Sequence, residues 1–208
     1  MISPKGASTI ASDKTRPALV LASESPRRKA LLAQIGIVPD AVIAGHINET
    51  VKKGELPREH ARRLAAEKAR AVAENWTGGA ALILAADTVV ACGRRILPKA
   101  ESDDQVRQCL ALLSGRRHQV LTAIALIGGG GKLRQRIVMT RVGFVRLTTA
   151  RIEAYVESRE GLGKAGGYAI QGRAEAFVAA LNGSYSNVVG LPLTETVGLL
   201  TGCGYPAL

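Results

Sequence analysis

An apolar run with a carboxylate inside it, ALILAADTVVA (81–91), constrains the fold of this 208-residue chain more than any other stretch. Its aliphatic and β-branched residues are typical of a strand in the middle of a protein. Asp87 stands near the centre of the run. A carboxylate removed from water without a partner costs several kcal/mol, so it neutralises, finds a cation or is avoided. The run therefore indicates a special environment for Asp87.

Two interpretations of Asp87 remain open at this point. The strand could end at Ala86, with Asp87 and Thr88 forming a turn at the surface. Against this, the residues that follow continue the apolar run, and Thr88 favours a strand. A strand carboxylate that is buried near cations is a candidate for a functional site.

Strand and helix patterns alternate along the rest of the chain. We predict further strands at 18–23, near 41–44, at 118–127, at 133–147 and near 175–181. We predict helices at 26–35, 56–75, 102–115, 148–158 and 193–200, the first capped by Ser25 and ended by Gly36. GGGGK (128–132) is typical of a hairpin turn. The pattern predicts one α/β domain over 18–208, with a mixed sheet flanked by helices and two lobes around a cleft, after a flexible tail at 1–17.

The composition favours anionic partners in a reducing compartment. The net charge is +11, which suits nucleic acid, phospholipid surfaces or phosphorylated small molecules, although a basic surface also aids solubility. Only 3% of the residues are aromatic, which argues against a surface that stacks nucleic-acid bases. The spacing of the cysteines and histidines indicates neither a disulfide framework nor a zinc site. No apolar stretch is long enough to span a membrane, and we expect a cytoplasmic protein.

Several charged residues are candidates for an anion site. Arg27 and Arg28 begin the first helix directly after the first strand, where free backbone N–H groups and the helix dipole favour an anion. A solvated helix start would carry the same residues. Lys68, Lys99 and Glu49, each taken alone, are typical of an exposed surface.

Two glycine-rich stretches imitate nucleotide-binding motifs. GLGKAG (161–166) has the spacing of a dinucleotide-binding loop, but it follows a charged helix end rather than a strand. GGGGK lacks the Ser or Thr that binds magnesium in a P-loop, since Leu133 occupies that place. We predict that neither stretch has the function of the motif it imitates.

Six segments in order resemble the Maf family of nucleoside triphosphate pyrophosphatases, from about Leu19 to Leu200. They are LASESPRRKALL (21–32), LAAEKA (64–69), LAADTVV (84–90), LSGRRHQVLTA (113–123), KAGGYAIQG (164–172) and NGSYSNVVGLPL (182–193). The resemblance implies an α/β fold related to the inosine triphosphatases, with a cleft between two lobes, and a homodimer. It also implies hydrolysis of a nucleoside triphosphate to monophosphate and pyrophosphate with a divalent cation, Mg or Mn.

The resemblance assigns expected roles to residues of this chain. Asp87 matches the proton acceptor, and Glu49 matches the acid that helps to hold metal or water, so these two carboxylates are the expected metal ligands. The family's cations around the phosphates match Arg27, Lys68 and Lys99. The loop that carries Arg27 also contains Arg28 and Ser23. Water would attack the α-phosphorus as pyrophosphate leaves, while metal and cations stabilise the developing charge.

Three residues match the branch of the family that acts on dTTP and UTP, namely Arg27, Thr88 and Gln171. A glutamine amide offers a donor and an acceptor, which suits the edge of uracil or thymine. A pyrophosphatase for 7-methyl-GTP or another modified nucleotide is an alternative. A basic nucleic-acid-binding or regulatory protein, with the division-arrest role associated with the family, is another, although we expect no stable nucleic-acid or membrane partner.

The chain departs from the family pattern beside two of these residues. Asn48 precedes Glu49 where many relatives have an acid, and Ala100 follows Lys99 where a proline is usual. We expect the first change to weaken metal affinity and the second to affect the reach of Lys99.

Overall fold

The computed structural model describes residues 16–207, which form one seven-stranded sheet with helices on both faces. The strands are β1 (Ala18–Ala22), β2 (Ala41–Val42), β3 (Ala81–Cys92), β4 (Arg95–Leu97), β5 (Arg117–Ile127), β6 (Leu133–Phe144) and β7 (Val178–Asn182). The helices are α1 (Pro26–Gln34), α2 (Pro57–Asn75), α3 (Asp103–Leu113), α4 (Thr149–Glu157), α5 (Tyr185–Val189) and α6 (Leu193–Thr201). All but two residues of the predicted tail, 1–17, lie outside the described residues.

The sheet is mixed, with strand order β2-β1-β3-β5-β6-β7 and with β4 paired to the far end of β3. β1 runs parallel to both β2 and β3, whereas β5 and β6 each pair antiparallel with the strand before them in the sheet. β5 and β6 form a hairpin whose turn contains Gly130 at φ 75°, as the GGGGK stretch predicts. The predicted α/β class, with a mixed sheet flanked by helices, is confirmed.

Alternate residues of β3 pack into two different cores. Ile83 and Ala85 pack with the alanine-rich face of α2. Leu84 and Ala86 pack into a larger cluster that includes side chains of α1, α3, α4 and α6. This alternation follows from the two-residue period of a strand. No helix within the described residues is long and apolar enough to span a membrane.

An open edge on β3 positions the functional site. Pairing of β3 with β1 ends at Ala85, and pairing with β4 begins at Val90. Between these points, in the described part of the chain, β3 pairs only with β5, and Asp87 lies opposite Ala123. The strand continues through Asp87 and Thr88, so the interpretation that places them in a turn is wrong. Their side chains point to opposite faces of the sheet, Asp87 toward α2.

Some predicted boundaries are wrong for local reasons. The strand near 41–44 has only two residues, Ala41 and Val42, which pair with Val20 and Leu21 of β1. Residues Arg173–Phe177 form a 3₁₀ helix instead of the first part of a strand, and the Glu175 N–H donates to the Gly172 carbonyl at 3.0 Å at its start. β6 ends at Phe144, short of 147, where its pairing with β7 becomes irregular. Ser25 occupies the N-cap of α1, but its side chain makes no capping hydrogen bond.

Two elements were not predicted at all. β4 has three residues and α5 has five. Segments this short do not complete the apolar repeat by which a strand or a helix is recognised. Both lie near the functional site, because β4 leads to Lys99 and α5 leads to Gly190.

Candidate active site

A cavity of about 740 Å³ lies beside the carboxyl end of β1 and the open edge of β3. Its wall is formed by the β1–α1 loop, residues 45–49, α2, β3, residues 160–172 and residues 188–190. The structure brings all nine residues of the predicted site to this cavity, and these are Ser23, Arg27, Arg28, Glu49, Lys68, Asp87, Thr88, Lys99 and Gln171. The carboxyl ends of parallel strands are the usual location of ligands in α/β folds.

A buried ion pair joins Asp87 to α2. The Lys68 ammonium donates to Asp87 Oδ1 at 2.6 Å. Asp87 is 4% exposed and Lys68 is 8% exposed, so neither charge is well solvated. Small residues on the same helix face, such as Ala65 and Ala69, let α2 lie close to the sheet. Asp87 therefore occurs in an apolar strand because α2 supplies its cation.

Glu49 extends this pair into a chain of four charges. Lys68 Nζ lies 2.6 Å from Glu49 Oε1, and Lys99 forms an ion pair with Glu49 Oε2. Burial alone would raise the pKa of Glu49, but the hydrogen bonds from Lys68 and Lys99 outweigh it and lower the pKa to about 2. Glu49 is thus ionised at neutral pH, and Lys99 reaches it although Ala100 replaces the usual proline.

Close packing of residues 45–49 against α2 makes these contacts possible. A Cβ built on Gly45 would lie 2.9 Å from the backbone oxygen of Lys68. A larger residue at position 45 would push this segment, and Glu49 with it, away from Lys68. The Asn48 side chain is used within its own loop, where its Oδ1 accepts a hydrogen bond from the Thr50 N–H at 2.9 Å.

Arg28 organises the opposite wall of the cavity. Its guanidinium donates to the Gly190 carbonyl at 2.9 Å, to Ser23 Oγ at 2.9 Å and to Thr88 Oγ1 at 3.3 Å. Thr88 Oγ1 also lies 3.0 Å from Thr122 Oγ1. Burial lowers the pKa of Arg28, and the charge of Asp87 opposes that effect. Arg28 thus links the β1–α1 loop, β3 and the segment after α5.

Arg27 is a second cation on this wall. It is half-buried, and its Nε is buried without a hydrogen-bond partner in the described residues. Burial lowers the pKa of its guanidinium. Removal of a charged donor from water without an acceptor is unfavourable. The position of Arg27 suits an anionic ligand that would supply this acceptor.

Gln171 is exposed and lies on a segment that is fixed at both ends. Tyr168 donates or accepts a hydrogen bond with His118 Nε2 at 2.8 Å, and the Ala169 N–H donates to the Tyr155 hydroxyl at 3.0 Å. On the other side of Gln171, the Glu160 carboxylate accepts from the Arg173 N–H. These contacts hold the backbone around Gln171, while its amide remains available to a ligand.

Sequence reasoning missed Lys164 and Glu160, which also line the cavity. Lys164 belongs to GLGKAG, which is a loop after α4 and has no strand before it. The prediction that this stretch is not a dinucleotide-binding motif fits that position. A lysine inside a glycine-rich loop was nevertheless a signal that the loop approaches a ligand.

The side chains suit a divalent cation that is shared with a phosphate ligand. No group of three or more His, Cys, Asp or Glu side chains that could hold a metal occurs in the part of the chain that the structure describes. Glu49 and Asp87 each have one oxygen 2.6 Å from Lys68 Nζ, so the two carboxylates lie close together, and a divalent cation would bind beside the ammonium rather than at the point it occupies. Mg²⁺ is commonly bound by one or two carboxylates together with water and substrate phosphates. This pair of carboxylates therefore fits Mg or Mn.

A family comparison agrees with this geometry. The model of the family described as Maf-like protein matches residues 18–203. The chain belongs to the Maf family. A dTTP/UTP pyrophosphatase of Caulobacter vibrioides is 58% identical to this Maf protein over 189 residues, which cover 91% of this chain and 97% of the relative. A dTTP/UTP pyrophosphatase of Paramagnetospirillum magneticum is 59% identical over 187 residues, which cover 90% and 97% of the two chains.

Solved structures show a weaker likeness to this Maf protein. The dITP/XTP pyrophosphatase of Mycobacterium abscessus is 15% identical, with a TM-score of 0.43, over 89% of this chain and 94% of that chain. This degree of likeness carries no argument about the site.

Proposed function

We propose that this Maf protein hydrolyses dTTP and UTP to the nucleoside monophosphate and pyrophosphate. The observation that carries the proposal is the Asp87 carboxylate, which is buried, paired with Lys68 and placed at the wall of a cavity of about 740 Å³. The names of relatives at 58% and 59% identity support the same reaction and the same pyrimidine substrates.

Asp87 is the proposed general base. Its Oδ1 accepts the hydrogen bond from Lys68, whereas its Oδ2 makes no hydrogen bond with another described residue and can receive a proton from water. Lys68 pairs with Asp87 and holds its side chain in one orientation. A carboxylate in a site with little water acts more strongly on a bound water than an exposed carboxylate does.

The cations around the cavity balance the charge of the substrate. Lys99, Arg27 and the buried Arg28 lie on its walls, and Ser23 belongs to the loop that Arg28 holds. Fixed donors that face the place where negative charge develops stabilise a transition state without reorganising during the reaction. At about 4 Å and an effective dielectric near 20, one such charge pair is worth about 4 kcal/mol.

Glu49 and Asp87 would hold the divalent cation, Mg or Mn. When bound there, the cation would withdraw electron density from the phosphate oxygens and lower the pKa of a coordinated water. The two carboxylates would bind and orient it, while Lys68 and Lys99 keep Glu49 ionised.

Gln171 would contact the base, and Arg27 and Thr88 are the other two residues that match the branch acting on dTTP and UTP. The Gln171 amide is exposed on a fixed segment, so it can donate to one ring atom of uracil or thymine and accept from the next. Thr88 is engaged with Arg28 and Thr122, which suits a residue that shapes the wall. A site that depends on such pairing rejects a base that lacks the partner by about 10⁴-fold.

We also propose a cytoplasmic homodimer in which residues 18–208 act as one domain. Val38 is 65% exposed and Val42 is 47% exposed, and Val42 lies on the edge strand β2. Exposed apolar residues beside a strand edge that has no partner among residues 16–207 favour contact with another chain. Sedimentation equilibrium would test the dimer, and a monomer at micromolar concentration would contradict it.

A nucleotide panel tests the activity. Purified protein is incubated with Mg or Mn and with dTTP, UTP, CTP, GTP or 7-methyl-GTP, and pyrophosphate and orthophosphate are measured separately. We expect pyrophosphate from dTTP and UTP at rates well above those for the other nucleotides. Release of orthophosphate instead, or no turnover of any nucleotide, would overturn the proposal, and a preference for 7-methyl-GTP would overturn the pyrimidine assignment.

A further inference from the structure

Lys164 and Arg27 are two cations on the cavity wall, and the carboxylate of Glu160, which lines the same cavity, is used by Arg173 rather than by either of them. In contrast to Lys68 and Lys99, which contact Glu49, neither residue forms an ion pair with a carboxylate of residues 16–207. Both are half-buried, and both line the cavity. The cavity therefore has a part around Glu49 where the cations are paired with carboxylates, and a part around Lys164 and Arg27 where the two cations are not.

Backbone hydrogen bonds fix Lys164 beside the segment that carries Lys99. The Ala100 N–H donates to the Lys164 carbonyl at 3.1 Å, and the Gly163 N–H donates to the Ala100 carbonyl at 2.7 Å. A third bond, from the Gly166 N–H to the Pro98 carbonyl at 3.0 Å, completes the contact. These three hydrogen bonds hold the loop that carries Lys164 in a fixed position against residues 98–100.

The ammonium of Lys164 has unused donors. It donates to the Leu162 carbonyl at 3.1 Å, and it makes no other hydrogen bond with a described residue. An ammonium has three N–H donors, so two remain for a ligand. Arg27 likewise has a buried Nε without a partner among the described residues.

The two cations oppose each other electrostatically. Burial lowers the pKa of Lys164, and the charge of Arg27 lowers it further. Burial also lowers the pKa of Arg27. A protein that holds two like charges together at a partly buried place loses stability there, and an anion bound between them removes that cost.

We propose that Lys164 is a further substrate-binding residue, which acts with Arg27 to bind phosphate oxygens of the nucleoside triphosphate. This inference rests on the proposed function. Lys68 and Lys99 are engaged with Glu49 and Asp87 near the site of water attack. The two cations that pair with no carboxylate of residues 16–207 are therefore best suited to the β- and γ-phosphates, which leave together as pyrophosphate.

The experiment must show whether Lys164 contacts the phosphates or the base of the nucleotide. It can do so because all the substrates carry the same triphosphate. Lys164→Ala removes the charge, Lys164→Gln keeps most of the side chain without the charge, and Lys164→Arg restores a cation. Lys132→Ala is the matched control, since Lys132 is an exposed lysine in the β5–β6 turn. Circular dichroism checks the fold of each variant. Steady-state kinetics with dTTP and UTP are combined with calorimetric titration of inorganic pyrophosphate.

Loss of one charged hydrogen-bond partner should weaken binding by about tenfold to a hundredfold. We expect Lys164→Ala and Lys164→Gln to raise KM for dTTP and UTP by the same factor and to weaken pyrophosphate binding to a similar degree. Lys164→Arg should recover part of the affinity, and Lys132→Ala should behave as wild type.

Two results would overturn the inference. One is unchanged KM and unchanged pyrophosphate affinity in both neutral variants, and the other is a loss that differs between dTTP and UTP while pyrophosphate affinity is unchanged. Wild-type protein that turns over no nucleotide contradicts the proposed function instead. The calorimetric titration would still show whether Lys164 binds pyrophosphate in that case.

Discussion

Lys68 Nζ and Asp87 Oδ1 lie 2.6 Å apart in the interior of the protein and link α2 to β3. Such a pair adds little net stability compared with well-packed apolar residues, because both charges lose their water. Its value lies in holding the Asp87 carboxylate in one orientation beside the cavity. The site thus depends on the ion pair between Lys68 and Asp87, which apolar residues would replace if stability alone mattered.

Asp87→Asn tests the proposed base. The amide keeps the shape of the side chain but cannot accept a proton from water, so we expect kcat for dTTP to fall by about 10²–10⁴. The measurement is the rate of pyrophosphate release at saturating dTTP. Asp104→Asn, which changes an exposed acid on α3, is the control and should retain wild-type activity. A kcat for Asp87→Asn within tenfold of wild type would refute the role of Asp87.

Lys68→Met tests the dependence of Asp87 on its cation. The substitution leaves a buried carboxylate without its partner, and we expect the free energy of unfolding to fall by about 3–5 kcal/mol. Urea denaturation measures this loss. The double variant Lys68→Met/Asp87→Leu removes both charges and should be more stable than the single variant. A double variant that is less stable than Lys68→Met would show that the pair is not the cause of the loss.

His118 makes stability depend on pH between about 4 and 6.5. Burial against Phe144 and Tyr168 lowers the pKa of its imidazole from 6.5 to about 4. Within this range the unfolded chain binds a proton that the folded chain does not, so stability falls as pH falls. The loss attributable to His118 should approach ~3 kcal/mol near pH 4 and vanish above about pH 7.

Urea denaturation from pH 4 to pH 8 checks this expectation. His118→Gln, which can keep a hydrogen bond to the Tyr168 hydroxyl, should lose this part of the pH dependence. His46→Gln, at an exposed position, should retain it. A stability profile of His118→Gln parallel to that of the wild type would contradict the prediction.

Gly172→Ala tests the fixed segment around Gln171. A Cβ at position 172 would lie 2.0 Å from Glu160 Oε2, so the carboxylate must leave the Arg173 N–H. Displacement of Gln171 should lower kcat/KM for dTTP and UTP by about tenfold to 10²-fold and reduce discrimination against CTP. Gly198→Ala is the matched control, because open space surrounds that position on α6. Equal effects of the two substitutions would contradict the role of the segment.

The strand through Asp87 and the helix that bears Lys68 could be predicted because both signals are local. Residues 81–91 are apolar on both faces, and α2 repeats its alanines at helical spacing. The family resemblance then predicted which polar residues share one cavity. The strand and helix patterns depend only on residues that are close together in the chain, and the family resemblance depends only on matched motifs.

Lys164 begins the matched segment KAGGYAIQG (164–172), but no role for it was predicted from the sequence, because its position in the cavity depends on contacts that are distant in sequence. Residues 163–166 are held by hydrogen bonds to residues 98–100. Nothing in GLGKAG itself indicates this partner, and the motif it imitates belongs to a different structural context.

The most direct test of the account is the position at which water enters the substrate. Wild-type protein is allowed to hydrolyse dTTP in water labelled with oxygen-18, and both products are analysed by mass spectrometry. Attack on the α-phosphorus beside Asp87 predicts one labelled oxygen in dTMP and none in pyrophosphate. Label in pyrophosphate, with unlabelled dTMP, would place the attack at the β-phosphorus and contradict the account.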